Sequence, residues 1–489
     1  MTAKQFILNV SVQYISRIFA KLQELVFIFV IIKKLNAVSY GIYSQIITTS
    51  LLLVPLFLMG LRESSVRYLA GQEDIVKKSR GFFSMLWAIW FLFILVFIVA
   101  NSYKEPLSML IFNSKDLSYY VLLLLLLVFS QANLRFILNY YRSINEVLKY
   151  SIIEIILSVV EVAFLAYVVL FSQPQLPGII FILIFLEGGF ALLALFDIVR
   201  RIGLSFIHIK TLLPFLIFSL PMLLTDILSW IVDASDKYII VHFLDLGNLG
   251  IYSASYKIGQ IAIFSITPIA FVLFPLITKF WEEAKFAKVN KFIDGSLKLY
   301  IIVALPIVIG IYQLSPYILN IIATSEFVIN KGIVLMILLG FFFLGLSKIY
   351  QLTIYLKEKT KYFIPIYVVA AIINLSLNFL LIPKMGIAGA AVSTLLSYFL
   401  IFIIIYFISQ KMIPLKFNMF FFWKVLCASM VMFVSLSFFR PSDLAHLVLV
   451  SLLGICVYVF FIFILRAMSK EELNLAKDIL SVRRSSNLV

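Results

Sequence analysis

Along most of this chain, apolar positions run on for twenty residues or more before a polar cluster interrupts them. A helix needs about 20 residues to cross hydrocarbon, and it satisfies its own backbone while doing so. The pattern predicts about fourteen membrane-spanning helices, over residues 10–32, 40–61, 81–101, 117–138, 150–171, 178–198, 212–233, 250–275, 298–319, 331–353, 362–382, 386–408, 417–438 and 443–465. The connections are short, and none is long enough to fold as a separate domain. The expected fold is therefore an all-α polytopic membrane protein. The first apolar run is followed at once by another, so it reads as a retained helix and not as a cleaved signal.

Composition agrees: 63% of the 489 residues are apolar and 13% are charged, with a mean hydropathy of +1.09. A soluble domain carries about a quarter charged residues. The net charge of +16 would suggest nucleic acid if its placement were ignored. With a cytoplasmic N-terminus and alternating spans, 29 of the 40 Lys and Arg fall in cytoplasmic segments, eight fall outside, and Arg17, Lys21 and Lys257 lie within spans. That bias persists loop after loop, as the positive-inside rule requires. Topology accounts for the charge, and no nucleic-acid partner is expected. Cys427 and Cys456 fall in apolar runs and read as small buried hydrophobes.

A repeat is visible. Leu35–Ser44 and Leu244–Ser253 share the ending Gly-Ile-Tyr-Ser at an offset of 209. At 212, Glu146, Lys149 and Tyr150 match Glu358, Lys361 and Tyr362, and at 208 Gly178-Ile179 match Gly386-Ile387. Near-equal offsets between equivalent spans predict two parallel six-helix lobes, 1–205 and 206–412, around a central cleft. Residues 413–489 then add two helices and a basic cytoplasmic tail.

Charged residues inside spans need a reason, because each costs roughly 2.5–3.5 kcal/mol at the bilayer centre on insertion scales. In the first span Asn9, Gln13, Arg17, Lys21 and Glu24 form one polar stripe. Two readings stand: Lys21 and Glu24 form a structural pair, or Arg17 and Lys21 face a watery cavity and attract an anion. In the seventh span Asp226, Ser229, Asp233 and Lys237 lie close to one face. Arg17 corresponds to Asp226, and Glu24 to Asp233, at the repeat offset. Asp226 is an expected cleft partner of Arg17, whereas Asp236 reads as solvated at the outer boundary. Lys257 either lines the cleft or snorkels to the interface. Arg135 is placed at the cytoplasmic mouth of the cleft. Glu154 and Glu161, seven apart on one face, are either proton- or sodium-coupling groups or partners of basic residues. Glu187, beside Gly188-Gly189, reads as structural. His208, His242 and His446 are scattered, with no metal-ligand spacing, and there is no Gly-rich phosphate loop with Lys. No metal, cofactor or ATP motor is expected. The short outside loops leave no room for the large domain a membrane glycosyltransferase would need.

The residues then suggest a family. Asp233-Ala-Ser-Asp236-Lys237-Tyr238-Ile239-Ile240 and Leu249-Gly250-Ile251-Tyr252-Ser253-Ala254-Ser255-Tyr256-Lys257 resemble the O-antigen type of polysaccharide flippase. That type belongs to the multidrug/oligosaccharidyl-lipid/polysaccharide exporter superfamily. Ile387-Ala388-Gly389-Ala390-Ala391-Val392-Ser393, Tyr40-Gly41-Ile42-Tyr43-Ser44 and Ser65-Val66-Arg67-Tyr68 fit the same likeness. The resemblance implies alternating access by two six-helix lobes in a bacterial inner membrane. It implies a polyprenyl-pyrophosphate oligosaccharide as substrate, surrounding membrane lipid, and a polymerase and assembly proteins as neighbours. The product would be a surface polysaccharide such as O-antigen of lipopolysaccharide. Tyr14, Gln13, Gln131, Asn374 and Asn378 are available to line a sugar path. A cation-coupled drug or metabolite antiporter of the same superfamily is the alternative, although drug-antiporter first spans carry an acidic residue without this chain's Arg17 and Lys21.

Overall fold

The computed structural model describes residues 12–13, 16, 19–20, 23, 26, 30–171, 175–264, 266–415 and 418–467. Among them the regular structure is helical, as the apolar runs predict, with no strand. The chain packs into two compact units, Met1–Gly250 and Ile251–Val489.

The first unit holds α1 (Ala37–Leu58), α2 (Leu61–Leu69), α3 (Ile75–Ser102), α4 (Lys104–Phe112), α5 (Ser118–Ser143), α6 (Val147–Phe171), α7 (Leu176–Ile202) and α8 (Ile209–Phe243). Helix α5 lies at its centre, packed by α1, α2, α3, α4, α6 and α7. Helix α8 packs on α1, α2 and α3, so this unit runs past the repeat boundary near residue 205. Caps fix several starts. Asn36 Oδ1 accepts from Ser39 N at 2.8 Å, and Asp74 Oδ1 accepts from Val76 N at 2.9 Å. A side-chain acceptor there satisfies one of the amides that the first turn leaves open. Helix α1 stops at Met59-Gly60, both left-handed, and a Cβ on Gly60 would lie 2.6 Å from Ser219 O.

The short α2 was not expected from the sequence. Its Ser65-Val66-Arg67-Tyr68 motif is built in by Asn139, whose Nδ2 donates to Arg62 O and Ser65 Oγ, each at 2.7 Å. Tyr68 stacks on Phe215 at 4.7 Å, and Arg67 sits 4.3 Å over the Phe218 ring.

Helix α9 (Leu246–Gly259) begins in the first unit and ends in the second. The second unit continues with α10 (Ile261–Phe264), α11 (Ile266–Glu282), α12 (Phe286–Ile322), α13 (Lys331–Leu356), α14 (Phe363–Met385), α15 (Ile387–Met412), α16 (Met419–Ser437) and α17 (Leu444–Ile464). Helix α13 packs against α12 and α15, α14 packs on α15, and α16 and α17 pack on each other and on α12. Gly389 permits the α14–α15 approach, since its added Cβ would meet Leu381 O at 2.5 Å.

Among the described residues, eleven helices are long and apolar enough to span a membrane, and bent α8 makes a twelfth. The bend of 41° falls between Leu220 and Leu223. Two predicted spans are missing from that count. The run 10–32 lies mostly outside the described residues. The run 250–275 is interrupted at Gln260, between α9 and α10, a turn that hydropathy does not register. Cys427 and Cys456 are exposed rather than buried. They sit on outer faces where lipid replaces water, so apolar character alone did not place them inside.

The repeat has a structural signature. Gly41 and Gly250, 209 apart, meet where α1 and α9 begin. A Cβ on Gly41 would lie 1.8 Å from Leu246 O, and one on Gly250 would lie 2.0 Å from Ala37 O. Ala37 and Leu246 are themselves 209 apart, so the contact is reciprocal. The ends of α5 and α13 also match. Asn145 and Glu358 have positive φ, and Glu146 N→Tyr141 O at 2.8 Å mirrors Lys359 N→Ile354 O at 3.0 Å.

Candidate functional site

The polar residues inside the first unit gather on the first span and on α5, α6 and α7. Ser16 Oγ donates to Glu154 Oε2 at 3.1 Å, and Gln23 Nε2 donates to Glu161 Oε2. Each pair is 138 residues apart, so two donors seven apart face two carboxylates seven apart. The helices are in register over two turns. Tyr150 OH donates to Glu154 Oε1 at 2.5 Å, one turn back on α6. Glu161 is 5% exposed, and its Oε1 has no hydrogen-bond partner among the described residues.

Glu187 on α7 completes the group. Its Oε1 accepts from Gln131 Nε2 at 3.4 Å, while Glu187 Oε2 and Gln131 Oε1 are buried without partners among the described residues. The charges of Glu161 and Arg135 both act on Glu187. Gly188 lets the carboxylate into place, because its added Cβ would lie 3.3 Å from Ser130 Oγ on α5. Arg135, one turn from Gln131, has an exposed side chain and feels Glu187, Arg62 and Tyr150. The result is a strip of carboxylates and amides with orphan acceptors, flanked by guanidinium. In hydrocarbon such acceptors demand a proton or a cation.

The expected residues divide as follows. Glu154, Glu161 and Arg135 converge on this strip. Arg17, Lys21 and Glu24 lie outside the described residues, as does Tyr14. Asp226 is exposed and sits in the field of Arg62 and Glu63. Asp233 is exposed, and Ser229 Oγ donates to its Oδ2 at 3.4 Å. Lys257 is half-buried in the second unit. Asp236 corrects an expectation: at 2% exposure, next to Lys237 at 7%, it is packed inside α8's surroundings and not solvated. A short charged run looked like a water boundary, but the helix continues through it to Phe243.

Asn374 and Asn378 are also placed differently. Asn378 Nδ2 donates to Asn374 Oδ1 at 3.0 Å, and Asn374 Nδ2 donates to Ser397 Oγ at 3.1 Å, all buried between α14 and α15. They hold two helices together and offer no surface to a sugar. Ser16, Gln23 and Arg62 are members that sequence reasoning passed over, and Glu187 was read there as structural. At the end of the strip Asp197 gathers Lys149 Nζ at 2.6 Å, Arg201 Nε at 3.0 Å and Tyr141 OH at 2.8 Å, and Arg201 also pairs with Glu146 at 2.6 Å. This network ties α5, α6 and α7 together. Among the described residues, no three of His, Cys, Asp and Glu are grouped to hold a metal ion.

Two proteins of Haloferax volcanii match part of the chain: the "Probable low-salt glycan biosynthesis flippase Agl15", 28% identical over 171 residues, and the "Probable flippase AglR", 27% identical over 174 residues. Each match spans 35% of this chain and 35% of the relative, so the chain is matched to about a third of those proteins' length. The fold resembles that of the lipid II flippase MurJ in an inward closed conformation, with a TM-score of 0.76, 16% identity, and coverage of 93% of this chain and 98% of that one. It also resembles an inward-facing multidrug resistance MATE transporter of the MOP superfamily, with a TM-score of 0.68, 11% identity, and coverage of 80% and 94%. At such identities these likenesses speak for the fold. The family model described as "Polysaccharide biosynthesis protein" matches residues 4–281, more than half of the chain, and the protein belongs to that family.

Proposed function

We propose that this protein is a flippase that carries a polyprenyl-pyrophosphate-linked oligosaccharide from the inner to the outer leaflet of the cytoplasmic membrane, for surface polysaccharide synthesis. The observation that carries the reading is membership of a polysaccharide biosynthesis family on a fold shared with a lipid II flippase. The two repeat lobes would expose the cargo to each side in turn, with both termini cytoplasmic. Arg17, Lys21 and Arg135 supply cations for a pyrophosphate, for which a guanidinium offers a bidentate fit. Asp226, Asp233, Glu24 and Lys257 complete the charged lining. Glu154 and Glu161, with Glu187 beside them, hold the coupling proton or sodium ion. The orphan acceptors at Glu161 Oε1 and Glu187 Oε2 support that role. O-antigen and capsule are both compatible products, made beside a polymerase and assembly proteins.

The test uses cells whose surface polymer depends on this protein. Arg17, Lys21 and Arg135 are replaced singly by Gln, membrane levels are matched, and surface polymer and lipid-linked precursor are measured. Loss of polymer with precursor retained at the cytoplasmic face is the expected result. Normal polymer from an Arg17→Gln/Lys21→Gln/Arg135→Gln protein at normal levels refutes the anion-binding reading.

A further inference from the structure

The linker between α7 and α8, residues 203–208, has no regular structure, yet its large apolar side chains face outward. Its sequence is Gly-Leu-Ser-Phe-Ile-His. Leu204 is 71% exposed and Phe206 88%. Three of its backbone groups are meanwhile tied to α3. Ser79 Oγ donates to Gly203 O at 3.0 Å, Trp87 Nε1 donates to Ser205 O at 3.0 Å, and Ser84 Oγ accepts from His208 N at 2.8 Å. A loop in water leaves its backbone to solvent and presents polar side chains. This one presents apolar side chains outward, as a segment seated at the membrane interface does. Ser79 and Ser84 are five residues apart, so the linker follows α3 for about 8 Å. Exposed Ile75 and Val76 extend the apolar surface.

Cations adjoin its contact points in sequence. Lys78 and Arg80 flank Ser79 on α3, and Lys210 opens α8. None of the three makes an ion pair among the described residues, unlike Arg201 and Lys77 nearby. All three fall in segments that the charge bias places on the cytoplasmic side. Apolar side chains immersed beside unpaired cations fit one partner: a lipid whose acyl region meets Leu204 and Phe206 while its phosphate meets the cations.

We propose that residues 203–209, with Lys78, Arg80 and Lys210, form a binding surface for anionic phospholipid headgroups of the cytoplasmic leaflet. The proposal does not depend on what the transporter carries. Juxtamembrane cations attract such headgroups with an affinity of roughly a fivefold factor per residue.

The experiment is native mass spectrometry of the full-length protein in detergent, equilibrated with phosphatidylglycerol or phosphatidylcholine. The wild type is expected to retain the anionic lipid preferentially. Lys78→Gln/Arg80→Gln/Lys210→Gln loses that preference, while Lys357→Gln/Lys359→Gln/Lys361→Gln keeps it. Should the triple variant fail to accumulate, Arg80→Gln alone is expected to weaken retention roughly fivefold. Phe206→Ser lowers retention of both lipids. Equal retention of the two lipids by the wild type, or an unchanged preference in the triple variant, overturns the proposal. So does polyprenyl phosphate displacing phosphatidylglycerol from the wild type but not from the triple variant, which would assign the cations to the cargo.

Discussion

Replacing Gly41 with Ala is the sharpest test of the repeat contact, because two physical effects predict opposite signs. Gly in a helix interior costs about 1 kcal/mol relative to Ala, so propensity alone says that Gly41→Ala stabilises α1. The contact says otherwise. The new Cβ would stand 1.8 Å from Leu246 O, 2.7 Å from Leu246 C and 3.3 Å from Gly250 N. Carbon-to-oxygen contacts between close backbones settle near 3.3 Å, so the helices must separate by about 1.5 Å. The obstructing atoms are backbone held in a helix and cannot rotate aside. Overpacking of this kind costs about 1–3 kcal/mol and at times more, which outweighs the gain in propensity. Gly250→Ala meets Ala37 O at 2.0 Å and is expected to behave alike. The double variant should cost less than the two single costs combined, because one separation relieves both clashes. Gly189, helical and with nothing within 4 Å of its added Cβ, is the control. The assay is the apparent melting temperature of purified protein in detergent, with membrane level in cells as a second readout. Lower melting for Gly41→Ala and Gly250→Ala, with Gly189→Ala unchanged or raised, is expected. A Gly41→Ala protein as stable as Gly189→Ala would refute the close crossing of α1 and α9.

Three further outcomes are expected. Gln23→Leu leaves Glu161 with neither oxygen partnered, at a cost of about 1–3 kcal/mol, and a Glu161→Leu change in that background should recover much of it in a double-mutant cycle of melting temperatures. Asn374→Leu strands the Asn378 amide and removes the donor to Ser397, so melting should fall by the equivalent of about 1–3 kcal/mol. The Asp443 carboxyl accepts from His446 N at 2.9 Å and from Ser442 Oγ at 3.1 Å, and these bonds hold it below the usual carboxylate range. Its cap on α17 is then fully present above pH about 4 and is lost as pH falls through the depressed value, a dependence that Asp443→Asn should remove from melting curves taken at neutral and acid pH.

How much of this was legible depends on which dimension of the helix each feature uses. Span positions are one-dimensional, and hydropathy located twelve of them to within several residues. Ends were missed where a helix runs on past its apolar part, as α8 and α12 do, and a break was missed where the chain turns at Gln260 inside an apolar run. The Gly41–Gly250 pair was visible as a repeat, but its contact needs two helices to cross. Exposure was misjudged in both directions for one reason. Sequence gives polarity, and in a membrane the outer face is apolar: Cys427 is exposed to lipid, and Asp236 is buried.

The candidate site adds a second dimension, helix rotation. Spacing alone put Glu154 and Glu161 on one face of α6, and likewise put Gln13, Arg17, Lys21 and Glu24 on one stripe of the first span. What it could not supply was the phase between the two helices. Ser16 and Gln23 lie beside that charged stripe in sequence, and among the described residues they are the first-span donors at Glu154 and Glu161. This bears on mechanism. A carboxylate neutralised by Lys21 would be a fixed ion pair, and protonating it would strand the lysine. A carboxylate held by a neutral amide can gain or lose a proton or a cation without leaving a buried counter-charge behind. Neutral donors at Glu154 and Glu161, with orphan oxygens at Glu161 and Glu187, therefore favour a group that cycles between charged and uncharged states.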